Sequence, residues 1–325
     1  MKNIQLQTWN PTQSIDPLLE LWQAALGTIW PITAEGLLST ILESGYQEGD
    51  CVVAIRDERI AGVVVINQQK GDQTKRGFIM CLLVRPDQQR QGIGTLLLRE
   101  AIERLKQREA KTIYLGGGPD AYFWGGVPTN LPQAVAFFQA HGWRLENKQD
   151  TIDVDLTMDL QGYTTPNWVW ERVRNASVSI ELARPQERDE ILRFERQHFP
   201  GWGNAVENAF RLGRLVVVAR TPQGEVAGTC IAYLPGLGYN CLWSELLGSK
   251  TGCLGEVGVA RRFRGQGVGM ALSAKATETF IESGNKTGYV RWLSLISWYG
   301  KLGYTTWRSY YTEQRSIEEC TISLD

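Results

Sequence analysis

Two hydrophobic periods alternate along the chain and mark out its elements. Apolar residues spaced by three and four predict helices over Pro17–Leu26 and Ala34–Glu43. Cys51–Arg56 and Ile60–Asn67 are apolar runs flanking Asp57-Glu58-Arg59, the pattern of a hairpin. Ile4–Thr8, Phe78–Val84, Thr112–Leu115 and Ile152–Met158 read as further strands. Gly92–Gln107 and Pro132–Ala140 read as helices, the latter ended by Gly142. After residue 177 the order begins again. Val178–Leu182 is a strand and Glu187–His198 a helix; Leu215–Arg220 and Val226–Tyr233 form a hairpin around Pro222-Gln223-Gly224. Gly255–Val259 is a strand, Gly267–Ser283 a helix, Thr287–Trp292 a strand, and Leu293–Lys301 a helix ended by Gly303. Between the halves, Gln161–Ala176 contains Pro166 and no clear period, so it reads as a linker. The expected class is α/β, an α+β mixed sheet in each of two domains, 1–160 and 177–325.

The repeat is visible residue by residue. Val84-Arg85-Pro86-Asp87-Gln88-Gln89-Arg90-Gln91-Gly92-Ile93-Gly94 returns 175 positions later as Val259-Ala260-Arg261-Arg262-Phe263-Arg264-Gly265-Gln266-Gly267-Val268-Gly269. Two copies at half-chain spacing mean two domains of one fold rather than a solenoid. In each copy a strand runs through a glycine turn into a helix. Such a turn aims backbone N–H groups outward at a helix N-terminus, where glycine allows close approach and the macrodipole attracts anions, a cradle for pyrophosphate. A dinucleotide fingerprint would need G-x-G-x-x-G early in a βαβ unit with an acidic residue about 20 positions on. Neither half has that arrangement, and a Walker A loop is absent as well.

Composition narrows the chemistry. The 325 residues carry 34 Lys+Arg against 35 Asp+Glu, a net charge of −1, which argues against a nucleic-acid binder with its basic face. An apolar fraction of 43% suits a globular chain. No apolar run reaches the roughly 20 residues of a membrane helix, and MKNIQLQTWN has no signal-peptide core, so no membrane association and a cytoplasmic location are expected. The cysteines, at 51, 81, 230, 241, 253 and 320, make no CxxC pair, and with only His141 and His198 no metal site is expected. Both histidines stand beside aromatics at helix ends, where capping or packing is the expected role.

V-x-P-x-x-Q-x-x-G-x-G in the first half and V-x-R-x-x-R-G-x-G-x-G in the second resemble motif A of the GCN5-related N-acetyltransferase (GNAT) family. Ala134-Val135-Ala136-Phe137-Phe138-Gln139-Ala140-His141-Gly142-Trp143 and Trp298-Tyr299-Gly300-Lys301-Leu302-Gly303-Tyr304 resemble that family's A-x-x-F-Y-x-x-x-G-F segment. The resemblance covers nearly the whole chain as a tandem of two such domains. It implies acetyl-CoA as co-substrate, its pyrophosphate on the motif A amides and its pantetheine paired to the preceding strand. Carried over, the first site would use Leu83, Val84, Gln89, Arg90, Gln91, Gly92, Ile93, Gly94 and Thr95. The second would use Val257, Val259, Arg264, Gly265, Gln266, Gly267, Val268, Gly269 and Met270, with Arg262 and Arg264 offsetting phosphate charge. Arg261 replaces the family's usual proline and Arg90 its first glycine, so the second cradle is the better match.

Acetyl transfer to an amine needs a base for the ammonium proton, a donor for the oxyanion and a proton for the leaving thiolate. In the family, a glutamate on the strand before motif A and a tyrosine on the last helix serve as base and acid. Glu256 and Tyr299 occupy those positions in the second half, while their counterparts in the first are Cys81 and Phe138. Backbone N–H at Val259 would serve the oxyanion. Glu256 paired with Arg291, and Tyr299 as simple packing, are the alternatives. The loop Gly116–Pro128 could close over an acceptor or pack through its own aromatics, and Asp120 and Glu245 could attract a cationic amine. Trp202, Trp243, Trp292 and Trp298 suit the core, with one or two able to floor a sugar ring.

The reading is therefore an N-acetyltransferase acting by direct transfer in a ternary complex on a small-molecule primary amine, an amino sugar favoured. A non-catalytic acyl-CoA sensor is the alternative. A relative of the tRNA-dependent transferases of cell-wall synthesis fits less well, given the near-neutral charge. Oligomeric state is left open.

Overall fold

The computed structural model describes residues 4–68, 74–118, 121–146 and 152–320. Two compact units divide the chain: residues 1–154 with 308–325, and residues 155–307.

The first unit contains β1 (Gln5–Thr8), α1 (Asp16–Leu26), α2 (Ala34–Glu43), β2 (Cys51–Arg56), β3 (Arg59–Gln68), β4 (Arg76–Val84), α3 (Ile93–Gln107), β5 (Thr112–Leu115), β6 (Val127–Pro128) and α4 (Pro132–Ala140). β7 (Ile152–Asp159) carries the chain into the second unit. There follow α5 (Asn167–Asn175), β8 (Ser179–Leu182), α6 (Arg188–His198), α7 (Gly203–Arg211), β9 (Leu215–Arg220), β10 (Val226–Tyr233), α8 (Ser244–Leu247), β11 (Thr251–Val259), α9 (Val268–Glu282), β12 (Thr287–Leu293) and α10 (Ile296–Gly300). β13 (Thr305–Tyr311) carries the chain back, and β14 (Gln314–Ser316) lies in the first unit.

The first unit's sheet runs β1-β2-β3-β4-β5-β14, with β4 and β5 parallel and the other neighbours antiparallel. α3 is amphipathic and lays Ile93, Leu97, Leu98, Ala101, Ile102 and Leu105 on the strand residues Val52, Val64, Ile66, Ile79 and Ile113. In the second unit the order is β7-β12-β11-β10-β9-β8, with β11 and β12 parallel. α9 covers one face; its Leu272 and Phe280 are fully buried, each contributing about 1.5–3 kcal/mol. A Cβ on Gly252 would sit 2.5 Å from the Phe280 ring, so this glycine sets how closely α9 approaches β11. α6 and α7 cover the other face, placing Ile191, Leu192 and Val206 against Val216, Val218 and Ile231.

One irregularity positions the site. β11 pairs with β12 from Thr251↔Thr287 to Leu254↔Val290, and the two strands then part. Where β12 ends, Trp292 has a left-handed φ of 48°, and the buried Asp155 of β7 accepts its N–H at 2.8 Å and the Tyr289 hydroxyl. Gly255–Val259 consequently keep β10 on one edge and leave the other uncovered by β12.

The domain boundaries depart from the sequence expectation in two places. Residues 161–176 are not a bare linker, because Asn167–Asn175 form α5, with Val169 and Val173 buried one turn apart and Pro166 at its N-cap. The domain expected at 177–325 gives up its last residues: 308–325 belong to the first unit, where β14 extends the sheet beside β5. The loop at 116–128 packs through its aromatics. Phe123 and Trp124 are buried and lie 5.1 and 5.3 Å from Trp22, the second pair stacked. Pro119 and Asp120 lie outside the described residues.

Candidate functional site

In the second unit the glycine turn behaves as its composition demands. β11 ends at Val259, Arg261–Phe263 form a single 3-10 turn, and Gly265 and Gly267 take φ of 78° and 88°. Side chains brace the loop: Arg264 Nε donates to Val259 O at 3.0 Å and Gln266 Nε2 to Arg262 O at 2.9 Å. Gly267 is the N-cap of α9, and no side chain caps this helix, leaving the first-turn N–H groups for an anion. A Cβ on Gly265 would meet open space, whereas one on Gly267 would lie 2.9 Å from Cβ of Arg172. Upstream, Ala260 N–H donates to Ala227 O on β10 at 3.0 Å. Strand alternation therefore turns the Val257 and Val259 N–H groups toward the edge that β12 leaves uncovered.

These pieces line one cleft of about 480 Å³. Val257, Val259, Arg264, Gly265, Gly267, Val268, Gly269, Met270 and Tyr299 all line it. Val268 and Met270 are buried, so what they offer an anion is backbone N–H. Gln266 does not line the cleft, its amide being spent on Arg262 O, and neither does Glu256, the predicted base. Arg262 is a correction to the expectation: it pairs with Glu225, rests 4.9 Å from the Phe263 ring centroid and lines a separate cleft. Arg172 of α5 lies at the cradle instead: its guanidinium donates to Gly265 O at 2.7 Å and lines the cleft with Arg264 and Lys301. Sequence reading missed Arg172 because it fell in the supposed linker. A pyrophosphate-bearing ligand fits this donor set, which combines uncapped N–H groups, open space over Gly265 and three cations.

Tyr299 sits on α10 beneath the cleft, 6% exposed, its ring 4.6 Å from that of Trp298 and perpendicular to it. Burial pushes its phenol far above the usual tyrosine value, with the Ser273 hydroxyl acting the other way, so the proton stays on at neutral pH. Glu256 is half-buried on β11 in a left-handed bulge, φ 49°, where the β10–β11 register slips between Thr229 and Ile231. Its Oε2 accepts the Tyr233 hydroxyl at 2.7 Å. Burial and the Glu256 charge together push Tyr233 well above its usual range, so Tyr233 remains a donor. Trp168, Phe199 and Trp202 form further walls beside Phe263, Leu295 and Trp298, and Phe199 and Trp202 stack at 4.9 Å. Trp243 is buried completely and Glu245 is exposed on α8.

The first unit repeats the backbone of this cradle. Gly92 caps α3 with φ 84°, and Arg90 holds φ 59° where the second copy has Gly265, a strain of order 1 kcal/mol. Gln89 Nε2 donates to Val84 O at 3.1 Å and Gln91 Nε2 to Asp87 O at 3.2 Å, reproducing the Arg264 and Gln266 braces. Leu83 is buried in β4, Val84 is half-buried, and Ile93 belongs to the core. Two things crowd this copy. Arg56 donates to Gln88 at 3.0 Å and to Gln91, and a Cβ on Gly94 would lie 3.0 Å from the Phe137 ring. Thr95 Oγ1 is engaged by His141 Nε2 at 3.1 Å, and that imidazole lies 4.4 Å from the Phe137 ring. Cys81, the counterpart of Glu256, is buried with its thiol pushed up to about 12.

The family model of the Acetyltransferase (GNAT) family matches residues 15–143 and again 177–304. The chain belongs to that family. Among solved structures it is similar to a GCN5-related glucosamine N-acetyltransferase region in a fungal multi-domain β-N-acetylglucosaminidase, at 28% identity and TM-score 0.87. That match covers 96% of this chain and 38% of the other. It also resembles a tandem GNAT protein from the clavulanic acid biosynthesis pathway, at 14% identity, TM-score 0.66 and 97% and 99% coverage. A GCN5-related N-acetyltransferase from Sphaerobacter thermophilus shares 16% identity with TM-score 0.69 over 98% of this chain and 96% of that one. No curated protein matches the chain. Two GNAT domains in one chain account for the sequence repeat and for both mixed sheets. Among the described residues no group of three or more His, Cys, Asp or Glu side chains could hold a metal ion, and no helix is long and apolar enough to cross a membrane.

Proposed function

We propose that the protein is an acetyl-CoA-dependent N-acetyltransferase that acetylates a primary amine of a small molecule, with an amino sugar as acceptor, and that its second unit does the chemistry. The supporting observation is the cleft that joins the uncapped N-terminus of α9 to the buried phenol of Tyr299. The amino-sugar reading rests on the glucosamine N-acetyltransferase region that the chain resembles at 28% identity. Six free, buried cysteines suit a reducing compartment, and a cytoplasmic location completes the proposal.

Acetyl-CoA, when bound, supplies the activated thioester. The N–H groups from Gly265 to Met270 hold the pyrophosphate, with Arg172 and Arg264 compensating its charge. The Val257 and Val259 N–H groups orient the pantetheine and polarise the acyl oxygen. Glu256 takes a proton from the acceptor ammonium at its carboxylate, and its Tyr233 hydrogen bond fixes that carboxylate. Tyr299 holds its proton on Oη for the departing sulfur. Transfer is direct, within a ternary complex.

Thiol release from acetyl-CoA with a panel of amines tests this reading. Glucosamine is expected to drive release well above background. A faster non-sugar amine would replace the acceptor assignment, and silence across amino sugars, aminoglycosides, polyamines and peptide amines would favour an acyl-CoA sensor. Arg172→Ala is expected to raise KM for acetyl-CoA about tenfold, roughly the 1.4 kcal/mol of one charge-assisted contact, with kcat within twofold. Steady-state kinetics with saturating acceptor checks it, and an unchanged KM would remove Arg172 from the cradle.

A further inference from the structure

Most aromatic side chains that line the cleft of the second unit have their rings engaged. Phe199 and Trp202 stack on each other, Trp298 and Tyr299 meet edge to face, and the Arg262 guanidinium rests over Phe263. Trp168 of α5 differs. It lines the cleft half-buried, and among the described residues no aromatic ring or cation stacks on its indole. Its helix is fixed at three places: Thr165 Oγ1, just before α5, donates to Glu278 Oε1 on α9 at 2.7 Å, Val169 and Val173 are buried, and Arg172 donates to Gly265 O at 2.7 Å. The glycine contacts show which end of the cleft this is. A Cβ on Gly267 would lie 2.9 Å from Cβ of Arg172, whereas one on Gly269 would lie 3.4 Å from the Trp298 indole. α5 therefore borders the turn at Gly265 and Gly267, and α10, with Tyr299, borders it at Gly269.

We propose that Trp168 and Arg172 form a subsite for the adenosine end of acetyl-CoA, with the adenine ring stacked on the Trp168 indole. This rests on the reading of acetyl-CoA as co-substrate. The molecule is linear in its parts: thioester, pantetheine, pyrophosphate, then ribose and purine. With the thioester at Tyr299 and the pyrophosphate on the N–H groups of the glycine turn, the nucleoside leaves the turn on the side of Gly265, where α5 stands. Side chains four apart on a helix are neighbours, roughly 5–6 Å between Cβ atoms. Trp168 thus stands one turn from the guanidinium that touches Gly265 O, a step that one ribose bridges. An indole suits a purine because it offers a broad π-face, and truncating such a platform to alanine weakens binding about 5–100-fold. Because α5 is anchored before any ligand arrives, little side-chain ordering opposes the stack. The acceptor amine must meet the thioester at Tyr299, so its ring belongs at the other end of the cleft from Trp168.

The test is calorimetry on the full chain, wild type against Trp168→Ala and Trp168→Phe, with three probes: coenzyme A, adenosine 3′,5′-bisphosphate, which is its nucleotide end alone, and 4′-phosphopantetheine, which lacks the adenosine. Trp168→Ala is expected to raise Kd for coenzyme A and for the bisphosphate about tenfold and to leave Kd for phosphopantetheine unchanged. Trp168→Phe keeps a π-face and should stay within about threefold of wild type for all three, which separates stacking from a folding defect. In steady state, Trp168→Ala should raise KM for acetyl-CoA by the same factor, with kcat and the acceptor KM unmoved. Equal coenzyme A affinity in Trp168→Ala and wild type overturns the subsite. So does an equal loss with phosphopantetheine, which would make Trp168 a support of the turn itself. A rise confined to the acceptor KM would overturn it too, and would place a sugar ring on the indole. Failure of the wild type to bind coenzyme A would instead show that the co-substrate reading beneath the proposal had failed.

Discussion

Replacing Tyr299 by phenylalanine is expected to lower kcat by about 10²–10³-fold and to leave KM for acetyl-CoA unchanged, the pattern of a lost general acid. The substitution removes one oxygen and keeps the ring, so the edge-to-face contact with Trp298 at 4.6 Å and the packing on Tyr304 at 6.1 Å survive and Tm stays put. What is lost is the Oη hydroxyl with its proton, which is in place at neutral pH. The first unit carries this substitution naturally, with Phe138 at the corresponding place, packed on Phe137 and Trp143. Steady-state kinetics on purified variant and wild type at pH 7.5 would check the effect. A loss confined to KM would show that the residue merely shapes the cleft.

Glu256→Gln is expected to lower kcat/KM about 10²–10³-fold at neutral pH. Glutamine preserves shape and can still accept the Tyr233 hydroxyl, so the variant tests charge and basicity rather than the fold. The direction with pH follows from the acceptor. At neutral pH a primary amine is mostly ammonium and needs a base. At high pH the free amine fraction grows and the deficit should shrink. Measuring kcat/KM from pH 6.5 to 9.5 would reveal that convergence, and a constant deficit would argue for a structural role instead.

Much of this was legible in the chain. The glycine turns, their 175-residue spacing and the contrast of Glu256 and Tyr299 with Cys81 and Phe138 are local sequence facts, and backbone geometry at Gly92 and Gly267 follows from them. What escaped the sequence depends on packing between distant segments. α5 hid behind Pro166 because a nine-residue helix buries only one pair, Val169 and Val173, and Arg172 was hidden with it. α7, β13 and β14 were also missed; β14 pairs with β5, 200 to 204 positions earlier, a partnership no local period reveals. The buried Glu195 of α6 accepts the Thr229 hydroxyl from 34 positions away, a pairing no local period reveals. Arg262 looked ready for phosphate, yet Glu225, 37 positions earlier, captures it.

The most direct test of the central claim, that the second unit carries the chemistry, uses the full chain with Tyr299→Phe and Glu256→Gln combined. Acetyl-CoA binding by calorimetry and amine-dependent thiol release are measured on the same preparation. Binding should match wild type while release falls to the level of the stronger single variant or below, because groups acting in one step are not additive. Release at the wild-type rate would contradict the account and move the reaction to the first cradle, where Cys81 and Phe138 stand.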